Sequence, residues 1–248
     1  MGKIHAMFFI AVLFLSVFAA GCISSNSTGT STTTSPTETS SDTIPITTDS
    51  NGTVSVQDLK SYVDSLPAAA LTPEEKEGLL YMVEEEKLAH DVYTKLYEKW
   101  GLRIFSNIAK SESTHVEAVR TLLKKYNLTD PTANERIGEF KNSHLQDLYN
   151  QLIEMGMKSE IDALKVGALI EETDIEDIQK YVDQTNKVDI ITVYENLMMG
   201  SRNHLRSFVS QLEKKGVTYE PQVLSKEIYE SIINSPMETG GQGKGGKG

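Results

Sequence analysis

A carboxylate and an imidazole lie three residues apart in the stretch ESTH, residues 112–115, which the sequence predicts to be part of a helix. Ile108, Val119 and Leu122 mark the apolar face of that helix, and Glu112 and His115 fall on the same face. Side chains at positions i and i+3 of a helix are neighbours, so one metal ion can contact both. Because an unpaired carboxylate is costly to bury, this pattern indicates a metal ligand pair rather than ordinary packing.

The apolar faces of three other predicted helices are interrupted in the same way near their middles. Glu86 interrupts the first helix, Glu171 the third and His204 the fourth. A pair of divalent metal ions between the helices would explain all of these positions, because carboxylates bridge and cap two ions and each imidazole gives one nitrogen. The predicted ligands are Glu86, Glu112, His115, Glu171 and His204, with Asp174 as a sixth.

Four long helices must position these side chains, and no run of alternating β-branched residues competes with them. The first is predicted from a capping box at Thr72, with Pro73 in the first turn, to Gly101. The others are predicted at about 104–126, 159–184 and 189–215. The long link at about 127–158 contains a short apolar helix at 145–155. The sequence therefore predicts an all-α fold.

The order Glu, Glu-x-x-His, Glu and His on four helices resembles the ferritin-like di-iron carboxylate proteins, and locally the rubrerythrins. The likeness is carried by EKLA at 86–89 with Tyr93, by FSNIAKSESTHVEAVRTLL from Phe105, and by LK at 164–165 with Glu171 and Asp174. Residues 70–232, including YEPQ at 219–222, also resemble an uncharacterised ferritin-like domain family of unknown function.

This resemblance implies a ferritin-like four-helix bundle with one long crossover connection that carries a short extra helix. It also implies a non-haem di-iron centre, or an iron–manganese centre, that reacts with peroxide or oxygen. Rubrerythrin-like proteins often carry a Cys-rich iron domain, whereas this chain has one cysteine. The resemblance therefore implies an external electron donor.

The fourth helix departs from the family pattern, because Ser201 stands where a second Glu-x-x-His would have its carboxylate. Glu195 lies nine residues before His204, about half a turn out of phase, and cannot replace it. Asp174, one turn after Glu171, could swing in as the missing ligand. The departure leaves the number of bound metals open and favours an alternative function, metal capture or storage without turnover.

A metal-free interpretation also stays open. Glu112 with His204, and Glu171 with His115, could form cross-helix hydrogen-bonded pairs in a helical interaction module. Glu84 and Glu85 lie off the apolar face and are predicted to face solvent. Tyr93 is predicted to be a packing residue.

The N-terminal segment is predicted to be a targeting signal rather than part of the fold. FFIAVLFLSVFAA at residues 8–20 has the length of a signal-peptide apolar core, and AAGC at 19–22 resembles a lipobox. We therefore predict a lipoprotein signal peptide at residues 1–21 and lipid attachment at Cys22. The alternatives are an uncleaved anchor helix, or a free thiol after ordinary cleavage. Cys22 is the only cysteine, which excludes an intramolecular disulfide and a Cys-rich metal site.

The remaining segments complete a tethered, extracytoplasmic arrangement. Residues 22–54 are Ser/Thr-rich and predict a disordered stalk, with N-glycosylation patterns at Asn26 and Asn51. Residues 55–237 predict the ferritin-like helical domain, and residues 238–248 a Gly-rich disordered tail. The net charge of −11 argues against nucleic acid as a partner. The predicted partner is the membrane, through lipidated Cys22, and a homodimer is left open.

Overall fold

The computed structural model describes residues 55–239. The predicted signal peptide, Cys22, the stalk with Asn26 and Asn51, and tail residues 240–248 lie outside the described residues. Residues 55–239 form seven helices and no strand, which confirms the all-α prediction. None of these seven helices is both long and apolar enough to cross a membrane. The helices are α1 Val56–Ser65, α2 Pro73–Trp100, α3 Arg103–Lys125, α4 Ser143–Gly156, α5 Glu160–Val182, α6 Val188–Lys214 and α7 Lys226–Ile233.

The ends of α2 follow the predicted signals. The Thr72 hydroxyl accepts the Glu75 N–H at 3.1 Å, and the Glu75 carboxylate accepts the Thr72 N–H at 2.9 Å. This reciprocal pair satisfies two backbone donors at the start of the helix. Gly101 ends it in the left-handed region at φ 67°, which glycine adopts at little cost. The predicted boundaries of α2 are therefore confirmed.

Two antiparallel hairpins position the candidate site. α2 packs along α3 and α5 packs along α6, while contacts of α2 with α5 and of α3 with α6 join the hairpins. The facing sides of all four helices are buried and apolar, with an aromatic group formed by Tyr93, Phe105 and Phe208. The predicted extra helix is present as α4 and packs against α2 and α5.

Two shorter helices were not predicted from the sequence. α1 begins at an N-cap from Ser55 and buries Leu59 and Val63 against α3 and α6. α7 begins at an N-cap from Ser225 and packs against α6. Both carry a serine cap and apolar residues three or four positions apart, so the signals were present but short.

The ordered domain extends past the predicted boundary at residue 237. The Glu238 carboxylate accepts hydrogen bonds from Arg202 at 2.7 Å and from Arg206 at 2.9 Å. Asn203 also exchanges hydrogen bonds with the Glu238 backbone. Glu238 therefore belongs to the helical domain rather than to the tail.

Candidate metal centre

Five of the six predicted ligands come together in the interior, from all four long helices. They form two overlapping groups, Glu86–Glu112–His115 and Glu112–Glu171–His204, and within each group one ligand atom per residue lies within 4.8 Å of the others. All five residues are buried. Each group combines carboxylate oxygens with one imidazole nitrogen, a donor set that suits iron or manganese.

Glu112 is shared between the two groups, one oxygen to each. Its Oε2 lies 2.6 Å from His115 Nδ1, and its Oε1 lies 2.8 Å from His204 Nδ1. On the outer sides, Glu86 Oε2 lies 3.1 Å from His115 Nδ1 and Glu171 Oε2 lies 3.4 Å from His204 Nδ1. A carboxylate that serves two equivalent groups in this way has the arrangement of a bridging ligand.

Several polar atoms of the centre take part in no hydrogen bond within the described part of the chain. Five buried atoms have no hydrogen-bond partner among residues 55–239: both oxygens of Glu112, Oε1 of Glu86, Oε2 of Glu171 and Nδ1 of His204. His204 Nδ1 makes none although Glu112 Oε1 is only 2.8 Å away. Buried polar atoms nearly always have a partner. In each group the ligand atoms lie within 4.8 Å of one another, but most lack the angles of hydrogen bonds. This is the arrangement of ligands around a metal position, so the residues present fit a pair of metal ions.

The electrostatics of the centre follow from its burial. Burial raises the pKa of Glu86 to about 7, with a further rise from Glu112 and an opposing effect from His115. Burial also raises the pKa of Glu171. Burial alone would lower the pKa of His204, but the charges of Glu112 and Glu171 outweigh it and raise the pKa to about 10. The carboxylates therefore create a strongly negative site that attracts protons or metal cations.

Three residues outside the predicted set position the ligands. The Tyr93 hydroxyl donates to Glu171 Oε1 at 2.6 Å, and Ser111 Oγ lies 3.1 Å from His204 Nε2. Gly200 leaves room for His115, because a Cβ there would lie 2.6 Å from that ring. Tyr93 follows Glu86 by two helical turns, so its spacing was a usable signal, although the sequence indicated packing only. The sequence carried no comparable signal for Ser111 or Gly200.

Asp174 and Ser201 lie outside both ligand groups. Asp174 is buried, and its Oδ2 has no hydrogen-bond partner. The Ser201 hydroxyl donates to the Leu197 carbonyl of its own helix at 3.2 Å. The second group therefore lacks the carboxylate that the family pattern would place on α6, and each group has three candidate ligands.

The prediction that Glu84 and Glu85 face solvent is wrong, because both are buried. Glu84 accepts the backbone N–H groups of Lys141 and Asn142, so the segment before α4 covers it. Glu85 is covered on the side of α5, where it interacts with Asp177. The helical period located the central face of α2 but could not show that α2 is enclosed on other sides as well.

The proposed metal-free pairs are only partly formed. Glu112 and His204 are in close contact, but without a hydrogen bond at Nδ1. Glu171 lies beside His204 instead of His115, and His115 lies between Glu86 and Glu112. Two simple cross-helix pairs therefore do not describe the centre.

Comparison with known proteins places the domain in a family. Residues 75–236 match the family described as "Uncharacterized protein domain (DUF2202)". The chain is 56% identical over 179 residues to an uncharacterized protein of Methanocaldococcus jannaschii, MJ0754, over 72% of this chain and 97% of that protein.

The crystal structure of this hypothetical protein, MJ0754, is also similar to the chain. The match has a TM-score of 0.69 and 57% sequence identity, and it covers 70% of this chain and 99% of the other. The similarity in sequence and in structure spans nearly the whole relative. The family match at residues 75–236 includes all the candidate ligands. The chain belongs to the DUF2202 family of uncharacterised domains.

Proposed function

We propose that the protein is a ferritin-like four-helix bundle that binds two metal ions, iron or iron with manganese, and reacts with peroxide or oxygen. The observation that carries this proposal is Glu112. It is fully buried, neither of its oxygens has a hydrogen-bond partner in the part of the chain that the structure describes, and each oxygen faces a separate His and carboxylate. A shared bridging carboxylate is the part of a di-metal centre that ordinary packing does not require.

The residues of the chain would each have a defined part in this centre. Glu86 and His115 would hold one ion, Glu171 and His204 the other, and Glu112 both. Tyr93 fixes the orientation of Glu171 through its hydrogen bond. When bound, the metals would supply a Lewis acid and a source of electrons for reduction of an O–O bond.

The aromatic group beside the centre would keep bulk water from one side of it. Tyr93, Phe105 and Phe208 pack with ring centroids 5.3 to 6.2 Å apart, and all three are buried. Exclusion of water lowers the local dielectric constant and strengthens the electrostatic interactions of the carboxylates with a cation. Tyr93 therefore has two roles, because its ring excludes water and its hydroxyl orients Glu171.

A second function, metal capture without turnover, is favoured by Ser201. Its hydroxyl is hydrogen-bonded to the Leu197 carbonyl, and the second ligand group has no carboxylate from α6. The centre therefore has one shared carboxylate, from α3, and no second one from α6. A centre with fewer carboxylates than the family pattern departs from the arrangement that turns over, which suits capture or storage.

Metal analysis separates these possibilities. The purified protein is treated with chelator, reloaded with Fe(II) under nitrogen and measured by mass spectrometry. The proposal expects about two iron atoms per chain, followed by catalytic consumption of hydrogen peroxide in the presence of a reductant. Two bound ions without turnover would favour capture. No bound metal in a folded protein would overturn both functions and leave a metal-free interaction module.

We also propose that the domain is held outside the cytoplasm through a lipid on Cys22. The support is the AAGC sequence after an apolar stretch, followed by a Ser/Thr-rich segment. Two lipid chains on one N-terminal cysteine would give stable membrane attachment. The mass of the mature N-terminal peptide tests this, and an unmodified Cys22 would contradict it.

A further inference from the structure

A second set of acidic side chains lies between α2 and α5, beside the candidate metal centre. It consists of Asp177 and Asp174 on α5 and Glu85 on α2, and we refer to these three residues as the carboxylate ladder. Tyr81 stands at its outer end, where its hydroxyl donates to Asp177 Oδ2 at 3.2 Å. None of the three residues belongs to either ligand group.

The ladder runs from the surface toward the centre. The Asp177 side chain is 13% exposed, Glu85 and Asp174 are each 2% exposed, and the ligands Glu86 and Glu171 are fully buried. Glu171, Asp174 and Asp177 follow one another at i, i+3 and i+6 of α5, which corresponds to about 4.5 Å of axial rise per step. Glu85 interacts with Asp177, and Asp174 interacts with Glu85, Glu86 and Glu171. Each member is therefore electrostatically linked to the next.

The inner part of the ladder is poor in hydrogen-bond donors. Both oxygens of Glu85 and Oδ2 of Asp174 are buried, and no donor among residues 55–239 reaches them with hydrogen-bond geometry. Structural packing would be better served by an amide or an apolar residue, because an unsatisfied buried carboxylate is destabilising. The oxygens are therefore suited to a transient cation.

The outer end of the ladder can admit such a cation. The Lys180 ammonium group lies 3.8 Å from Asp177, but the Lys180 side chain is 51% exposed. An exposed ion pair at this distance is weak and can open. An incoming divalent cation would then replace Lys180 at Asp177.

We propose that the carboxylate ladder is the route by which divalent cations pass from the surface at Asp177, by way of Glu85 and Asp174, to the metal centre. The inference rests on the proposed metal-binding function and adds an access site to it. Each carboxylate offers oxygen ligands to a cation that moves from one residue to the next. The oxygens without hydrogen-bond donors favour cations over anions along this route.

The rate of metal loading tests the route separately from the centre. Co(II) is mixed with metal-free protein, and its uptake is followed by visible absorption in a stopped-flow instrument, with the final stoichiometry measured afterwards. The variants are Asp177→Asn and Glu85→Gln, which preserve side-chain shape and replace one carboxyl oxygen by an amide nitrogen. Glu176→Gln is the matched control, because Glu176 is an exposed acid on α5 next to Asp177.

The proposal expects Asp177→Asn and Glu85→Gln to load at least about tenfold more slowly, as loss of an electrostatic guide would produce. Their final stoichiometry equals that of the wild-type protein, and Glu176→Gln loads normally. Unchanged rates in both variants would overturn the route while leaving the metal centre intact. A lower final stoichiometry in Glu85→Gln would make Glu85 a resident ligand and also overturn it. If the wild-type protein binds no Co(II), the metal centre itself fails, and the route fails with it.

Discussion

Glu171 and Glu172 are adjacent on α5 and equally buried, yet their surroundings are opposite. The Glu172 carboxylate accepts the Tyr219 hydroxyl and the backbone N–H groups of Gln222, Val223 and Leu224. Glu171 accepts one hydroxyl, from Tyr93, and its Oε2 has no hydrogen-bond partner. One side chain is saturated with donors, whereas the other faces an imidazole and a second carboxylate.

The same contrast recurs on α2, where Glu84 accepts two backbone N–H groups and Glu85 accepts none. Burial of an acid therefore does not by itself indicate function in this protein. Donor-saturated carboxylates fasten loops to helices, whereas carboxylates without donors gather at the centre and along the ladder. The supply of hydrogen-bond donors thus distinguishes structural acids from candidate ligands.

The largest expected effect comes from removing the carboxylate that both ligand groups share. We expect Glu112→Gln to weaken metal binding by more than roughly 100-fold. Loss of a residue that only hydrogen-bonds to a metal ligand already costs up to about 100-fold, and Glu112 is itself a proposed ligand. The variant should fold, because Gln preserves the shape of the buried side chain. Competition with a chromophoric chelator measures the affinity. Glu117→Gln, an exposed acid on the same helix, is the control. Wild-type affinity in Glu112→Gln would place Glu112 with the structural acids.

A matched pair of substitutions at the adjacent acids tests the comparison directly. Glu172→Gln should lower the free energy of unfolding by about 2 to 3 kcal/mol, because an amide presents N–H groups to donors that need an acceptor. Glu171→Gln should change it by less than about 1 kcal/mol, since little donor support is lost. Urea unfolding of the metal-free variants measures both values.

Metal stoichiometry should show the reverse order in the same two variants. Glu172→Gln retains the wild-type metal content, whereas Glu171→Gln loses the ion held with His204. If the two substitutions affect stability equally, donor saturation does not distinguish the two acids.

A smaller effect on stability is expected at Asp91, another donor-saturated acid. It accepts hydrogen bonds from Lys87 at 2.5 Å, His90 at 2.8 Å and the Gly138 N–H at 2.9 Å. Burial alone would raise the pKa of Asp91, but these donors outweigh it and hold the pKa below its ordinary value. A carboxyl whose pKa is lower in the folded state stabilises the fold above its unfolded pKa, near 3.9. That contribution is lost as the pH falls through the folded pKa.

We therefore expect Asp91→Asn to cost about 2 kcal/mol of unfolding free energy at neutral pH. The difference from the wild-type protein should shrink below about pH 4. Urea unfolding at a series of pH values measures it, with exposed Asp147→Asn as the control. A difference that is independent of pH would mean that Asp91 acts through packing rather than through its charge.

Sequence analysis located the four long helices and the buried polar residues at their centre because both follow from one helical period. The Thr72 capping box and Gly101 bound α2, and Glu86, Glu112 and His204 interrupt apolar faces, which are local patterns. The distinction between Glu171 and Glu172 is not local. The donors to Glu172 lie 47 to 52 residues further along the chain, in the segment between α6 and α7. No helical period shows that this segment returns to α5, so the enclosure of Glu84, Glu85 and Glu172 required the tertiary structure.

The smallest expected effect concerns Ser111, which touches a candidate ligand without belonging to the site. Its hydroxyl lies 3.1 Å from His204 Nε2, and Nδ1 of the same ring lies toward Glu112. We expect Ser111→Ala to weaken metal binding by about tenfold, because the ring loses the partner that fixes its orientation. Chelator competition measures the loss, with the exposed Ser113→Ala on the same helix as the control. The unfolding free energy of the metal-free protein should stay within about 0.5 kcal/mol of the wild-type value. An equal loss of affinity in both variants would show that Ser111 acts through α3 as a whole. A loss confined to Ser111→Ala would show that hydrogen-bond partners determine the role of His204 as well as the roles of the carboxylates.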